Sequence, residues 1–168
     1  MKEGTATFTE TNAGSDRNEQ PGVTEGLFTI APSKPYKQLS PLVLAYLGDA
    51  VYEAYVRQFV IAQPNHRPHH MHRESVKYVS NRAQAKALET WVPLLTEEEV
   101  DVVKRGRNAK SGTVPRNADV LDYRHSTAFE CLVGYLYYQG SYARLQMLMD
   151  LALKTLSGGD TERERKKP

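Results

Sequence analysis

The sequence predicts an all-α domain, and two observations lead to that prediction. Residues typical of helix starts and helix ends bracket long apolar stretches, and no segment shows the period-two alternation of a half-buried strand. A length of 168 residues with 40% hydrophobic content is sufficient for one hydrophobic core. We therefore expect a flexible arm over residues 1–38, one helical domain over residues 39–156, and a flexible charged tail over residues 157–168.

The first half of the domain is predicted to contain two helices. Ser40 followed by Pro41 is a favourable helix start, and this helix should run to about Ala62. Residues 64–70 are loop-like because of their prolines, and a second helix is then expected over residues 71–91, where Pro93 ends it.

The second half is predicted to contain three helices. Thr96 and Glu99 match a capping box at the start of a helix that reaches about Arg105, and residues 106–117 are expected to form an extended loop. A helix over residues 119–138 should end at Gly140, and a last helix then runs as far as about Leu156.

Composition excludes several classes of protein. A formal net charge of +2 is too small to indicate a nucleic-acid binder by itself. The single cysteine, Cys131, excludes an internal disulfide and a cysteine-based zinc cage, and its apolar surroundings favour a buried thiol. No apolar stretch is long enough to span a membrane, and residues 1–37 lack the pattern of a secretory signal or a transit peptide. These features favour a cytoplasmic protein.

Two carboxylates stand out because they lie within helices that are otherwise apolar. Asp49 lies in the apolar run of residues 42–52, and Glu130 lies in a similar run of residues 128–136. Both are expected to be buried, and a buried carboxylate is usually paired, protonated or bound to a metal. Gly48 and Gly134 indicate that the two helices come close together. Converging carboxylates suit Mg²⁺ and predict metal-assisted phosphodiester hydrolysis.

A purely structural interpretation of these carboxylates remains open. Arg57 or Arg124 could form a buried ion pair with either of them. Glu53 shares a helix face with Asp49, so it could contribute to a metal site or simply point to solvent near Arg57.

A basic segment follows the third predicted helix. Its cationic and amide side chains, together with glycines, are suited to contact with the phosphate oxygens of RNA or DNA: Arg105, Arg107, Asn108, Lys110 and Arg116. A solvated surface loop is the alternative, because the acidic residues 97–101 cancel this charge locally.

The histidine cluster raises the question of a transition-metal site at His66, His69, His70 and His72. The interspersed prolines disfavour the regular spacing that would align imidazoles, so a solvated, partly basic loop is the preferred interpretation. The tyrosines at residues 135–142 are similarly interpreted as core or dimer contacts rather than as stacking platforms for bases.

Several motifs in order and spacing resemble Mini-ribonuclease III, the branch of the ribonuclease III family that has the catalytic domain alone. They are Leu44-Ala45-Tyr46-Leu47-Gly48-Asp49-Ala50-Val51-Tyr52-Glu53, Val79-Ser80-Asn81-Arg82-Ala83-Gln84-Ala85, the segment from Arg105 to Gly112, and Tyr123-Arg124-His125-Ser126-Thr127-Ala128-Phe129-Glu130. The resemblance covers residues 40–153.

The resemblance implies an all-α homodimer with the ribonuclease III endonuclease fold, which binds double-stranded RNA in a valley between protomers. It also implies Mg²⁺ dependence, a role in maturing 23S ribosomal RNA, and Asp49 and Glu130 as the catalytic, metal-binding pair. A ribosomal protein or the assembling large subunit is the partner that the resemblance suggests.

One departure from larger ribonuclease III enzymes concerns two acidic positions that are occupied here by Ala45 and Thr127. Mini-ribonuclease III proteins resemble this chain in that reduced set. Two alternatives remain open: a noncatalytic RNA-binding or ribosome-assembly module with the same fold, and a helical protein-interaction domain in which the two carboxylates form ion pairs.

Overall fold

The computed structural model of the protein describes residues 30–110 and 119–164, with side chains as far as residue 158. Six α-helices account for most of these ranges: α1 (Pro41–Ile61), α2 (Pro68–Val79), α3 (Asn81–Trp91), α4 (Glu97–Arg107), α5 (Val120–Gln139) and α6 (Tyr142–Glu164). Short 3₁₀ turns precede α1 and follow α3. The described residues contain no strand, so the predicted all-α class is confirmed for this part of the chain.

Helix α5 lies at the centre of the core because its apolar residues face several neighbours at once. Helices α1, α3 and α4 all pack against it. Phe129 on α5 is fully buried, with its ring stacked 4.3 Å from Trp91 of α3 and edge-on at 4.7 Å from Tyr52 of α1. Aromatic packing of this kind contributes about 1 kcal/mol per pair beyond burial alone, so this cluster ties the three helices together.

Helices α1 and α5 cross in direct backbone contact, and two glycines make that crossing possible. A Cβ atom on Gly48 would lie 1.8 Å from the Glu130 carbonyl oxygen, and one on Gly134 would lie 2.0 Å from the Leu44 carbonyl oxygen. Gly48 of α1 meets Glu130 of α5, and the earlier residue Leu44 meets the later residue Gly134, so the two helices are antiparallel. The predicted close contact at Gly48 and Gly134 is confirmed.

Local signals in the sequence place most helix ends correctly. The Ser40 hydroxyl accepts from the Val43 amide at the start of α1, and Thr96 and Glu99 form both hydrogen bonds of the predicted capping box at the start of α4. Gly140 ends α5 with a φ of 75°, a conformation that favours glycine.

The prediction of a single helix over residues 71–91 is wrong, because the backbone breaks at Ser80. This residue is extended, with φ −65° and ψ 149°, so it ends α2 and begins α3. The prediction that residues 64–70 form a loop is also wrong at its end. Helix α2 already begins at Pro68, since the fixed φ of proline suits a first helical turn.

Three further boundaries differ from the prediction. Helix α4 continues through Gly106 to Arg107, so the predicted loop begins later, and residues 111–118 lie outside the described residues. Helix α6 extends to Glu164, beyond the end expected near Leu156. Residues assigned to the flexible arm also reach the domain: the Tyr36 ring lies 5.1 Å from that of Tyr135, and Lys37 pairs with Glu98 at 2.8 Å.

None of the helices in the described ranges is both long enough and apolar enough to cross a membrane.

Candidate active site

An open cleft lies beside the crossing of α1 and α5. Its volume is about 440 Å³, and it is lined by Leu42, Ala45, Tyr46, Leu47, Asp49, Ala50, Glu53, Tyr123, Thr127 and Glu130. Gly48 of α1 contacts the backbone carbonyl of Glu130 on α5, and Asp49 is the residue that follows Gly48. The backbone contact between the helices therefore brings the two predicted carboxylates to the same cleft.

The prediction that Asp49 is buried is wrong, because this residue is exposed at the cleft. Its neighbour Gly48 takes the position that faces α5, which leaves the Asp49 side chain on the open side of the helix. The pKa of Asp49 is nevertheless raised, first because its carboxyl loses part of its hydration and second because Glu53 repels its charge.

Glu130 is the more buried of the two carboxylates. Burial is the main reason that its pKa is raised from an ordinary 4.5 to about 8, and repulsion from Asp49 adds to the rise. The side-chain amide of Gln84 lies near the carboxyl and lowers its pKa by a smaller amount, although the two groups do not form a hydrogen bond of normal geometry. Glu130 of the free protein therefore holds a proton at neutral pH unless a cation replaces it.

Ion pairing does not account for these carboxylates. Among the described residues, no Arg or Lys forms an ion pair with Asp49 or Glu130. Arg57, one of the two candidates, instead pairs with Glu53 at 2.6 Å. A cation bound between Asp49 and Glu130 would relieve the repulsion between these carboxyls, for which the described residues provide no cationic partner.

The donor set fits Mg²⁺. The two carboxylates provide hard oxygen ligands, while the described residues include no group of three or more His, Cys, Asp or Glu side chains able to enclose a metal. Mg²⁺ is commonly held by one or two carboxylates and keeps several waters, which leaves positions for substrate phosphate oxygens. Asp49 and Glu130 are the residues that would hold it.

Ala45 and Thr127 add no carboxylate to the cleft. Both residues line the cleft. The Thr127 hydroxyl donates to the Tyr123 carbonyl at 3.0 Å, so it is occupied within its own helix. Neither residue therefore replaces a missing carboxylate.

None of the four predicted RNA-binding residues that the structure describes lines the carboxylate cleft. Arg105 and Arg107 form the exposed last turn of α4, Asn108 caps that helix, and Lys110 follows it. Arg116 lies outside the described residues. Arg105, Arg107, Asn108 and Lys110 form a separate basic end of α4.

Gly106 sets the position of this basic end. A Cβ on Gly106 would lie 2.8 Å from the Cα of Ala128 and 2.9 Å from the Cβ of Cys131, so α4 crosses α5 closely there. Glu130 lies between those two α5 residues in the sequence, on a different side of the helix. The basic end is thus held beside the helix that carries Glu130.

The remaining candidates have structural roles or lie elsewhere. Cys131 is buried, and burial raises the pKa of its thiol to about 12, so the predicted structural thiol is confirmed. His66 lies before α2, with a ring nitrogen 2.9 Å from the Ile61 carbonyl oxygen, whereas His69, His70 and His72 lie on α2 rather than in the predicted loop. None of the four lines the carboxylate cleft.

Sequence reasoning missed two contributors to the site. Tyr123 lines the cleft one turn before Thr127, and Gln84 of α3 reaches Glu130 from the protein interior. The only local signal for Gln84 was a long polar side chain in the small-residue stretch Ala83–Ala85.

Comparison with known proteins agrees with this geometry. Residues 42–141 match the Ribonuclease III domain family. A Brevibacillus brevis protein named Mini-ribonuclease 3 is 50% identical over 119 residues, which cover 71% of this chain and 89% of that protein. A protein of the same name from a Thermoanaerobacter species is 48% identical over 118 residues, which cover 70% and 83%.

A solved structure resembles the fold as well. The crystal structure of a protein from Fusobacterium nucleatum superposes with a TM-score of 0.66 at 27% identity, covering 73% of this chain and 98% of that one.

The family model matches more than half of the chain, and the helical fold agrees with it. The domain with the carboxylate cleft at the α1–α5 crossing is therefore a ribonuclease III domain. Within that class, the chain belongs to the Mini-ribonuclease 3 family, and it is an endoribonuclease of the ribonuclease III type.

Proposed function

We propose that the protein cleaves double-stranded RNA with the help of Mg²⁺, and that Asp49 and Glu130 are its catalytic, metal-binding residues. The single observation that carries this proposal is that Asp49 and Glu130 share one cleft in which no described Arg or Lys forms an ion pair with either of them. The pKa of Glu130 is raised there to about 8. The family supports action on double-stranded RNA.

The chemistry assigns a different task to each part of the cleft. Bound Mg²⁺ would supply positive charge that stabilises the scissile phosphate and lowers the pKa of water. Asp49, at the open side, would hold the cation where the incoming phosphate can reach it. Glu130, which is enclosed on the interior side by α3, would lose its proton to solvent and would then hold the cation as the second carboxylate. Tyr123 forms part of the wall against which the RNA lies.

The basic end of α4 is the proposed contact for the RNA backbone. Arg105, Arg107, Asn108, Lys110 and Arg116 would position phosphates away from the reacting one, because the cleft itself has no cationic lining among the described residues. Binding through these charges should weaken steeply as salt rises.

A second copy of the chain completes the proposed RNA-binding valley. Along one side of α1, Leu42, Val43, Tyr46 and Ala50 are all exposed, with Tyr46 at 85%. An exposed apolar stripe of this kind is typical of a surface that another chain covers. A homodimer related by a twofold axis would bury it and supply two cleavage sites, one for each RNA strand.

The proposed biological substrate is the double-stranded stem of the 23S ribosomal RNA precursor, in the cytoplasm. A ribosomal protein or the assembling large subunit is the proposed partner that presents this stem. The family resemblance supports this part of the proposal.

The test compares wild type with Asp49→Asn on a precursor-rRNA stem, with either Mg²⁺ or EDTA, on a denaturing gel. Wild type should make discrete cuts that require Mg²⁺, while Asp49→Asn should lose on the order of 10³-fold or more in rate with unchanged folding and RNA binding. Retained cleavage by Asp49→Asn would remove this residue from the reaction. Intact RNA in every lane despite a gel-shifted complex would favour the noncatalytic assembly module.

A further inference from the structure

Gln84 is a buried polar residue that the core does not need. It is 1% exposed, and neither its amide nitrogen nor its amide oxygen has a hydrogen-bond partner of normal geometry in the described part of the protein. A buried amide without partners is destabilising, and an apolar side chain of the same size would relieve that cost. Residues that break a packing rule in this way are concentrated at functional sites.

The packing of α3 on α5 brings this amide next to Glu130. The Ser126 hydroxyl of α5 donates to the Asn81 side-chain oxygen of α3 at 3.3 Å, which fixes where the helices meet. One turn further along each helix lie Gln84 and Glu130. The Gln84 amide interacts with the Glu130 carboxyl there, although the contact is not a fully formed hydrogen bond.

The chemistry of an amide suits this position. Its NH₂ group donates two hydrogen bonds and carries no charge, so it can orient a carboxylate without competing with a cation for it. Carboxylates that ligate metals are usually held by such hydrogen bonds from outside the ligand shell.

We propose that Gln84 is a positioning residue that donates a hydrogen bond to Glu130 from the protein interior and so fixes this carboxylate for cation binding. This inference rests on the proposed role of Glu130 in the cleft. The Gln84 amide contacts the Glu130 carboxyl on its interior side, so the side of this carboxyl that faces the cleft remains available to the cation and the phosphate.

The test is Gln84→Met, which keeps the length and burial of the side chain but removes the amide. Its melting temperature in EDTA should equal or exceed that of wild type, because the unpartnered amide is gone. The rate of RNA cleavage should fall about tenfold with KM for the stem unchanged, and the affinity for Mn²⁺, followed through the EPR signal of free Mn²⁺ without RNA, should fall by about tenfold. A residue with a purely structural role would not lower activity while stability rises.

The matched control is Leu88→Met, a volume-conserving change at a residue 3% exposed and one turn further along α3. It should leave cleavage and Mn²⁺ binding unchanged. In a Glu130→Gln background, Gln84→Met should have no further effect on Mn²⁺ binding, because the group on which Gln84 acts is absent.

Several outcomes would overturn the inference. Wild-type cleavage and Mn²⁺ binding in Gln84→Met would do so. So would a melting temperature lowered more in both Gln84→Met and Gln84→Leu than in Leu88→Met, because the amide would then be structural. Failure of the proposed function looks different: Asp49→Asn would then cleave like wild type, or wild type would bind no Mn²⁺, and the role of Gln84 would fail with it.

Discussion

Asp49 and Glu130 belong to one cleft, but the protein places them in different surroundings. Asp49 is exposed and adjoins Glu53, whereas Glu130 is largely enclosed between α1, α3 and α5. The free protein can hold both without a cationic partner because burial raises both pKa values and Glu130 stays protonated. In the proposed function, cation binding would displace a proton from Glu130, so the same burial that favours the protonated carboxyl would also be a source of instability.

Glu130→Gln is expected to remove cleavage and to stabilise the metal-free protein. In the unfolded chain the Glu130 carboxyl ionises near its ordinary pKa of 4.5, whereas in the folded protein it stays protonated up to about pH 8. Stability of wild type relative to Glu130→Gln should thus decline as pH rises from about 4.5 to about 8, and then level off. The difference should reach a few kcal/mol.

Urea unfolding of both proteins in EDTA across this pH range measures that difference. Using the difference between two variants cancels the contributions of other titrating groups. A stability difference that does not change with pH would contradict the raised pKa of Glu130.

At the scale of elements, the site depends on how closely α1 approaches α5. The two helices touch through backbone atoms at Gly48 and Gly134, so the separation of the carboxylates is set by the absence of side chains there. Helix α4 is placed by the same device at Gly106. Small residues thus position both the cleft and the basic end of α4.

Gly48→Ala is expected to disrupt both stability and cleavage. The added Cβ would lie 1.8 Å from one α5 backbone atom and 2.8 Å from another, and backbone atoms cannot move aside as a flexible side chain can. The helices must separate, at a cost of about 1–3 kcal/mol or more.

The control is Gly158→Ala on α6, where nothing lies within 4 Å of the new Cβ. This change should leave cleavage unaltered and stabilise the helix by up to about 1 kcal/mol. Thermal unfolding and stem cleavage measure both variants, and a Gly48→Ala protein as stable as wild type would contradict the observed helix contact.

Arg107→Ala tests the basic end of α4. The variant should bind the RNA stem more weakly, and the slope of log affinity against log salt should decrease in magnitude by about 1, since one phosphate contact is lost. Lys154→Ala, at an exposed lysine on α6, is the control and should change neither quantity. Fluorescence anisotropy at several salt concentrations gives the slopes, and equal slopes for Arg107→Ala and wild type would remove Arg107 from the interface.

At the scale of the whole molecule, two helices, α1 and α5, line one cleft, while α3 brings Gln84 to Glu130 from the interior and α4 presents the basic end beside α5. The apolar stripe of α1 adjoins the cleft, because Leu42 and Tyr46 belong to both. Pairing of two copies through this stripe would therefore bring the two clefts near each other, as cleavage of both strands of a duplex requires.

Val43→Glu should shift the protein from dimer to monomer. Val43 is 49% exposed and lies on the stripe without lining the cleft, so a charge there disturbs the interface rather than the reacting groups. Val92→Glu is the control, since Val92 is exposed to a similar extent, 51%, in the turn after α3. Sedimentation velocity over a range of concentrations distinguishes the two, and identical behaviour of both variants would place the dimer interface elsewhere.

The sequence by itself determined the helical class, the starts of α1 and α4, and the end of α5, because proline, capping side chains and glycine act on their immediate neighbours. It also singled out Asp49 and Glu130 through their apolar surroundings. Only the tertiary structure decided that Asp49 is exposed, that the chain breaks at Ser80, and that Gln84 reaches Glu130. These features depend on which side of each helix faces its neighbour, and that is fixed by packing between residues far apart in the chain.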